Sequence, residues 1–132
     1  MAFVAGNSVI LAWFVKSQAT AYSEKMLRRA AEEVVHVPIV WQLEFANALY
    51  QLERRGKLKA THTEAILDAI RALALEIDSS PPEPDRLLDL ARQYEISAYD
   101  ASYLELAIRL SLKLTTRDGP LVAAAGKAGL AI

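Results

Sequence analysis

The sequence predicts an α/β fold in which a parallel sheet is covered by helices on both faces. One observation points there, and a second bounds the unit that folds. Short apolar or β-branched runs alternate with longer stretches of helical periodicity along the whole chain. The strongest punctuation, Ser79-Ser80-Pro81-Pro82-Glu83-Pro84, is too short for an interdomain linker, so residues 1–132 read as one domain. There is no internal repeat and no low-complexity tract.

The elements follow in order. Ala2–Ala5 is apolar and stops at Gly6, which suits a buried strand, and Ser8 is placed to cap a helix through Val9–Val15. Tyr22–Glu33 has helical spacing, with Tyr22, Met26, Leu27 and Ala30 on one side. Val34–Val37 is β-branched and ends at Pro38. A long helix then runs from about Val40 to Arg55, stopped by Gly56. Thr61–Leu73 is a further helix, and Leu75–Ile77 a third short strand. Helices are expected from about Glu83 to Tyr94 and from Ala98 to Leu110. Lys113–Thr116 reads as a strand, Leu121–Lys127 as a helix and Leu130–Ile132 as a last strand. In such folds the ligand site lies beyond the carboxyl ends of the strands, which directs attention to Gly6, the start of the Val40 helix and Asp118.

Composition narrows the function. Hydrophobic residues make up 53% and charged residues 23% of 132, within the range of a globular domain long enough to close one core. Gly6, Asn7 and Ser8 interrupt the apolar opening, so it reads as neither signal peptide nor membrane span. The absence of cysteine excludes disulfides and thiolate zinc sites and makes the cytoplasm the expected location. A net charge of −1 argues against gripping nucleic acid by bulk charge alone. Arg54, Arg55, Lys57 and Lys59 nevertheless bunch at one helix end, where they either guide a nucleic acid or keep the surface solvated.

Three acids stand out of place. On the Val40 helix, Trp41, Phe45, Ala48, Leu49 and Leu52 fill one apolar face and Leu43 and Tyr50 another; Glu44, with Asn47 and Gln51, occupies a thin polar strip between them. On the Ala98 helix, Ser102, Glu105 and Arg109 mark the solvent side, whereas Asp100 projects among Tyr103, Leu104 and Ala107. Asp118 follows a strand and precedes Gly119-Pro120. Each has a bland reading: a half-exposed Glu, a first-turn Asp behind a Ser97 cap, and a helix N-cap. Taken singly, the cap reading wins for Asp118. Brought together, three carboxylates repel one another, and a hard divalent cation with oxygen ligands relieves that repulsion. Such a cation can activate water and neutralise a phosphodiester. His36 and His62 have no ligand-spaced partner and read as structural.

At this point the chain resembles PIN-domain proteins of the VapC type over nearly its whole length. The matching stretches are Asn7-Ser8-Val9 with Trp13-Phe14, Leu43-Glu44-Phe45-Ala46-Asn47-Ala48-Leu49, Ser97-Ala98-Tyr99-Asp100-Ala101-Ser102-Tyr103-Leu104, and Leu114-Thr115-Thr116-Arg117-Asp118. The resemblance implies an α/β/α sandwich with a central parallel sheet and a Mg2+- or Mn2+-dependent endoribonuclease toxin. It also implies an RNA substrate, a cognate antitoxin, a homodimer and a toxin–antitoxin hetero-oligomer. The family's later acids fall on Glu44, Asp100 and Asp118, an orienting hydroxyl on Thr116 and a small polar residue on Ser8. One departure stands out: Gly6 occupies the place of the family's strand-end Asp, a principal metal ligand. Its loss implies weakened metal binding and activity. Either an inactivating change lets a toxic protein accumulate, or the chain is a naturally silent relative that binds and sequesters an antitoxin. The intact look of the other motifs favours the first.

Overall fold

The computed structural model describes residues 1–132. Four strands, β1 (Ala2–Ala5), β2 (Val34–Val37), β3 (Leu75–Ile77) and β4 (Leu114–Thr115), form one sheet in the order β3-β2-β1-β4. Every pairing is parallel, with Phe3 opposite Val35, Val35 opposite Leu75 and Ala5 opposite Thr115. Successive side chains of a strand point to opposite faces, and Phe3 and Val4 are both fully buried. Both faces of β1 are therefore covered, as the α/β sandwich requires.

The covering helices are α1 (Asn7–Phe14), α2 (Ala21–Ala30), α3 (Val40–Arg54), α4 (Ala60–Arg71), α5 (Pro84–Tyr94), α6 (Ala98–Leu110) and α7 (Gly119–Lys127). A single 3-10 turn, η1 (Lys16–Gln18), links α1 towards α2. The helix α6 packs on β1 and β4 and against α5 and α7, while α1 packs on α2 and α3. One continuous core joins Phe3, Val35, Phe45, Leu90, Leu104 and Leu114. None of the helices is long and apolar enough to cross a membrane.

Local chemistry explains the boundaries. Thr20 caps α2 by accepting from the Ser23 N–H, and the Ser23 hydroxyl accepts from the Thr20 N–H in return. After α3, Gly56 takes the left-handed conformation (φ 70°) and the Lys57 N–H closes onto the Leu52 carbonyl at 2.9 Å. Several expectations are corrected. Ser8 does not cap α1: the helix starts at Asn7 behind Gly6, and the Ser8 hydroxyl instead accepts from the Arg117 N–H at 3.0 Å. The helix expected to reach Glu33 stops at Ala30. The expected last strand is a single bridge, Ala131 beside Leu114. Leu43 and Tyr50 do not form a second packed face but lie 73% and 56% exposed. Glu105, expected in water, is 6% exposed, because the face it shares with Arg109 meets Asp78 just beyond β3.

Candidate active site

Chain order and sheet order part company at β1: the chain leaves through α1 to β2 on one side, while β4 lies on the other. The segments after β1 and β4 diverge there and leave a crevice, the usual ligand position in an open α/β sheet. Its floor is the Gly6 turn, whose N–H donates to the Thr115 carbonyl at 2.8 Å. The resulting cleft, of about 310 Å³, is lined by Gly6, Asn7, Ser8, Glu44, Asp100 and Asp118, together with Tyr103, Thr116, Gln18 and two leucines.

Each acid reaches the cleft by its own route. Glu44 comes from the middle of α3, half-buried between Trp41 and Phe45 on the core side and solvent on the other. The phenol of Tyr103, only 2% exposed, donates to Glu44 Oε1 at 2.6 Å. Asp100 sits in the first turn of α6, where Ser97 Oγ accepts its backbone N–H at 3.0 Å. Asp118 caps α7 by accepting the Leu121 N–H on Oδ2 at 3.1 Å. Thr116 Oγ1 accepts the Asp118 N–H at 3.1 Å and so fixes the turn that presents this acid. The local readings from sequence are thus both correct and incomplete. Asp100 lies behind a Ser cap and Asp118 is a cap, yet both also face the cleft.

Crowding of like charge has an electrostatic signature. Burial, followed by the neighbouring Asp118 and then by Glu44, pushes the Asp100 carboxyl up to about 7. Glu44 is also raised, first by burial and further by Asp118, with the Tyr103 hydrogen bond pulling the other way. Tyr103 is pushed well above the usual phenol range by burial and by its carboxylate partner. Strongly perturbed acids in a cleft mark a candidate functional site.

The donors suit a hard divalent cation in kind, since all are oxygens and Asn7 Oδ1 is buried without a hydrogen-bond partner. They fall short in number. No three of the His, Asp or Glu side chains lie close enough to ligate one ion. The shortfall coincides with Gly6, which supplies no carboxylate. A Cβ there would lie 2.9 Å from Thr116 Oγ1 and 3.1 Å from Thr116 Cβ, so Thr116 stands directly against that position. The backbone itself (φ −70°, ψ 155°) would accept any residue.

The other expected residues separate. Arg54, Arg55, Lys57 and Lys59 are exposed and line no part of the acidic cleft. The Arg54 guanidinium lies 5.9 Å from the Tyr50 ring centre, and Lys57 lines a second cleft with Lys16 and His62. His36 approaches Glu76 at 4.0 Å across two strands. The sequence reading undervalued Tyr103, treating it only as an apolar neighbour of Asp100. The signal was present, because residues three apart share a helix face. Gln18 became visible only through the fold, as did the places of Asn7 and Arg117, which the matching stretches had included without a role.

An α/β sandwich with convergent acids at the switch point of its sheet defines the class of protein. The sequence agrees in detail: the chain matches the PIN domain over residues 7–127 and belongs to that family. Among its relatives, Ribonuclease VapC3 of Pyrobaculum aerophilum is 28% identical over 123 residues, 92% of each chain. Ribonuclease VapC1 of Mycobacterium tuberculosis is 31% identical over 97 residues, 72% of this chain and 71% of its own. Ribonuclease VapC9 of the same organism is 34% identical over 88 residues, 67% and 68% of the two chains. The crystal structure of PAE2754 from Pyrobaculum aerophilum shares the fold, with a TM-score of 0.76 at 21% identity over 100% of this chain and 88% of that one.

Proposed function

We propose that the chain, acting as one PIN domain over residues 1–132, is an endoribonuclease toxin of a toxin–antitoxin pair, impaired by Gly6. The observation that carries this reading is the meeting of Glu44, Asp100 and Asp118 in one cleft at the C-terminal edge of the sheet. The names of the VapC ribonucleases it resembles point the same way. Glu44, Asp100 and Asp118 are the carboxylates offered to Mg2+ or Mn2+, an incomplete ligand set without an acid at position 6; the ion, when bound, would supply an activated water and neutralise phosphate charge. The chain's own residues do the rest. Tyr103 fixes one Glu44 oxygen and leaves the other free, Thr116 holds the Asp118 turn, and Leu11 and Leu121 wall the cleft. A cognate antitoxin, assembly into dimers and hetero-oligomers, and a cytoplasmic setting complete the reading.

One observation favours a second reading, a silent PIN-fold module that sequesters an antitoxin: the acids form no three-residue ligand group, and Thr116 fills the space above Gly6. Gly6→Asp separates the two. It restores a carboxylate at the floor of the cleft but obliges the Thr116 hydroxyl to turn aside, so Gly6→Asp with Thr116→Ser is tested beside it. Cleavage of a single-stranded RNA in Mg2+ or Mn2+ is expected to rise at least a hundredfold over the parent, about 2.7 kcal/mol of barrier. Asp100→Asn should abolish the gain. If neither variant cuts RNA in either metal, the enzymatic reading falls and the binding module takes its place.

A further inference from the structure

A second cleft, of about 520 Å³, adjoins the segment that walls the first. Phe14, Lys16, Lys57 and His62 line it together with Val15 and Leu58. The shared wall is the junction of α1 with η1: Leu11 and Gln18 face the acidic cleft, whereas residues 14–17 face the second. Arg117, next to Asp118 in sequence, is tethered to the acidic-cleft side of that wall. Its backbone N–H donates to Ser8 Oγ at 3.0 Å, and its Nη1 donates to the Gln18 carbonyl at 2.5 Å. That single tether holds the guanidinium against η1 and leaves its other N–H groups free.

We infer that η1 and the second cleft form the track along which a single-stranded RNA approaches the acids, with Arg117, Lys16 and Lys57 contacting phosphates. The inference rests on the ribonuclease reading above and deepens it. Charge complementarity carries it. A cleft lined by carboxylates repels a polyanion, so the strand needs cations at its approach: Lys16 and Lys57 line the second cleft, and Arg117 is bonded to η1 at Gln18, two residues from Lys16. All three side chains are exposed, and Lys57 stands on the rigid turn closed by its own N–H onto Leu52. Phe14 and His62 offer flat rings in the same cleft, the usual platform for unpaired bases. Within the basic cluster picked out from sequence, this selects Lys57 and sets aside Arg54, whose guanidinium lies by the Tyr50 ring.

The test is binding rather than cleavage. A fluorescent 12-nucleotide single-stranded RNA is titrated with the full chain in Ca2+ at several salt concentrations, and anisotropy is read. Lys16→Ala with Lys57→Ala should weaken binding at least fivefold, and Arg117→Ala at least threefold. The log–log salt slope should become shallower by about 0.7 for each phosphate that is no longer neutralised. Arg54→Ala with Arg55→Ala should stay within twofold of the parent. If the Arg54 and Arg55 pair carries the loss instead, the track is wrong while the ribonuclease reading stands. If the variants keep RNA but lose an acidic amphipathic peptide, the cleft receives a protein segment and the track is equally wrong. A parent chain that binds no RNA even at low salt overturns both the track and the reading beneath it.

Discussion

The two ends of α6 handle their acids in opposite ways. At the N-terminal end, Asp100 faces Asp118 and Glu44 with no cation of the chain among them, and its carboxyl is raised to about 7. At the C-terminal end, Arg109 donates to both oxygens of Asp78, at 3.2 and 2.6 Å, and to Glu105 at 2.9 Å. There the guanidinium holds Asp78 below the usual carboxylate range, and the two acids raise Arg109 in turn. The same residue type on the same core thus titrates in opposite directions, and the difference lies in whether the protein supplies the counter-charge. One end is complete within the chain. The other is left short of positive charge, which is what the proposed metal-dependent reading calls for.

The largest expected effect comes from making the satisfied end resemble the unsatisfied one. Arg109→Met would leave Glu105 and Asp78, with side chains 7% and 10% exposed, facing each other unpaired. Breaking a fully buried pair costs about 3–5 kcal/mol; with Arg109 itself a third open to water, roughly 2–3 kcal/mol is expected here. Urea unfolding followed by circular dichroism measures it. A cost below about 0.5 kcal/mol would mean that the cluster is ordinary surface pairing, and the contrast along α6 would disappear.

A smaller effect sharpens the comparison at the cleft. Tyr103 is the one internal donor on the Glu44 carboxylate. Tyr103→Phe keeps the packing and removes the bond, with an expected cost of about 1–2 kcal/mol. Because that bond lowers the Glu44 pKa, its loss should raise it further. Carbon-13 NMR of the Glu44 carboxyl reads the change directly. An unmoved titration would show that Tyr103 fills space and does not hold the acid.

How much of this was legible in the sequence follows from the range of each interaction. Strands β1 and β2 were legible because apolar or β-branched runs stopped by Gly6 or Pro38 are local signals; β3 and β4 were legible as short runs alternating with helical periodicity, and α3 stops just before Gly56 as expected. The acids were legible as misfits on helix faces, since periodicity fixes which way Asp100 and Glu44 point. The Arg109 cluster was not. Periodicity put Glu105 and Arg109 on one face, correctly, but what that face meets depends on Asp78, 31 residues from Arg109. Ser8 failed for a similar reason: its natural capping role was displaced by the Arg117 N–H, 109 residues away. The contact of Thr116 with Gly6 belongs to the same group, because only the fold places β1 beside β4.

The smallest effect is the most diagnostic, because it appears at one pH and vanishes at another. In the folded chain Asp100 keeps its proton up to about pH 7, against an ordinary value of 3.8. A carboxyl raised on folding stabilises the fold fully below the unfolded value, and that contribution disappears as pH rises through the folded one. Between about pH 4 and 7 the folded chain therefore loses stability through Asp100, and above that window the penalty is constant. Asp100→Asn removes the charge and keeps the shape. At pH 8 it should gain on the order of 1 kcal/mol, roughly 3–6 °C in Tm once the open cleft is allowed for. At pH 4, where the folded Asp100 is already protonated, the gain should vanish and the variant should be level with the parent. Asp78 runs the other way, since its lowered pKa makes it stabilising at neutral pH and costly in acid. Equal Tm changes for Asp100→Asn at pH 4 and pH 8 would mean that Asp100 ionises like a surface acid, and the N-terminal end of α6 would hold no unmet charge for a cation to satisfy.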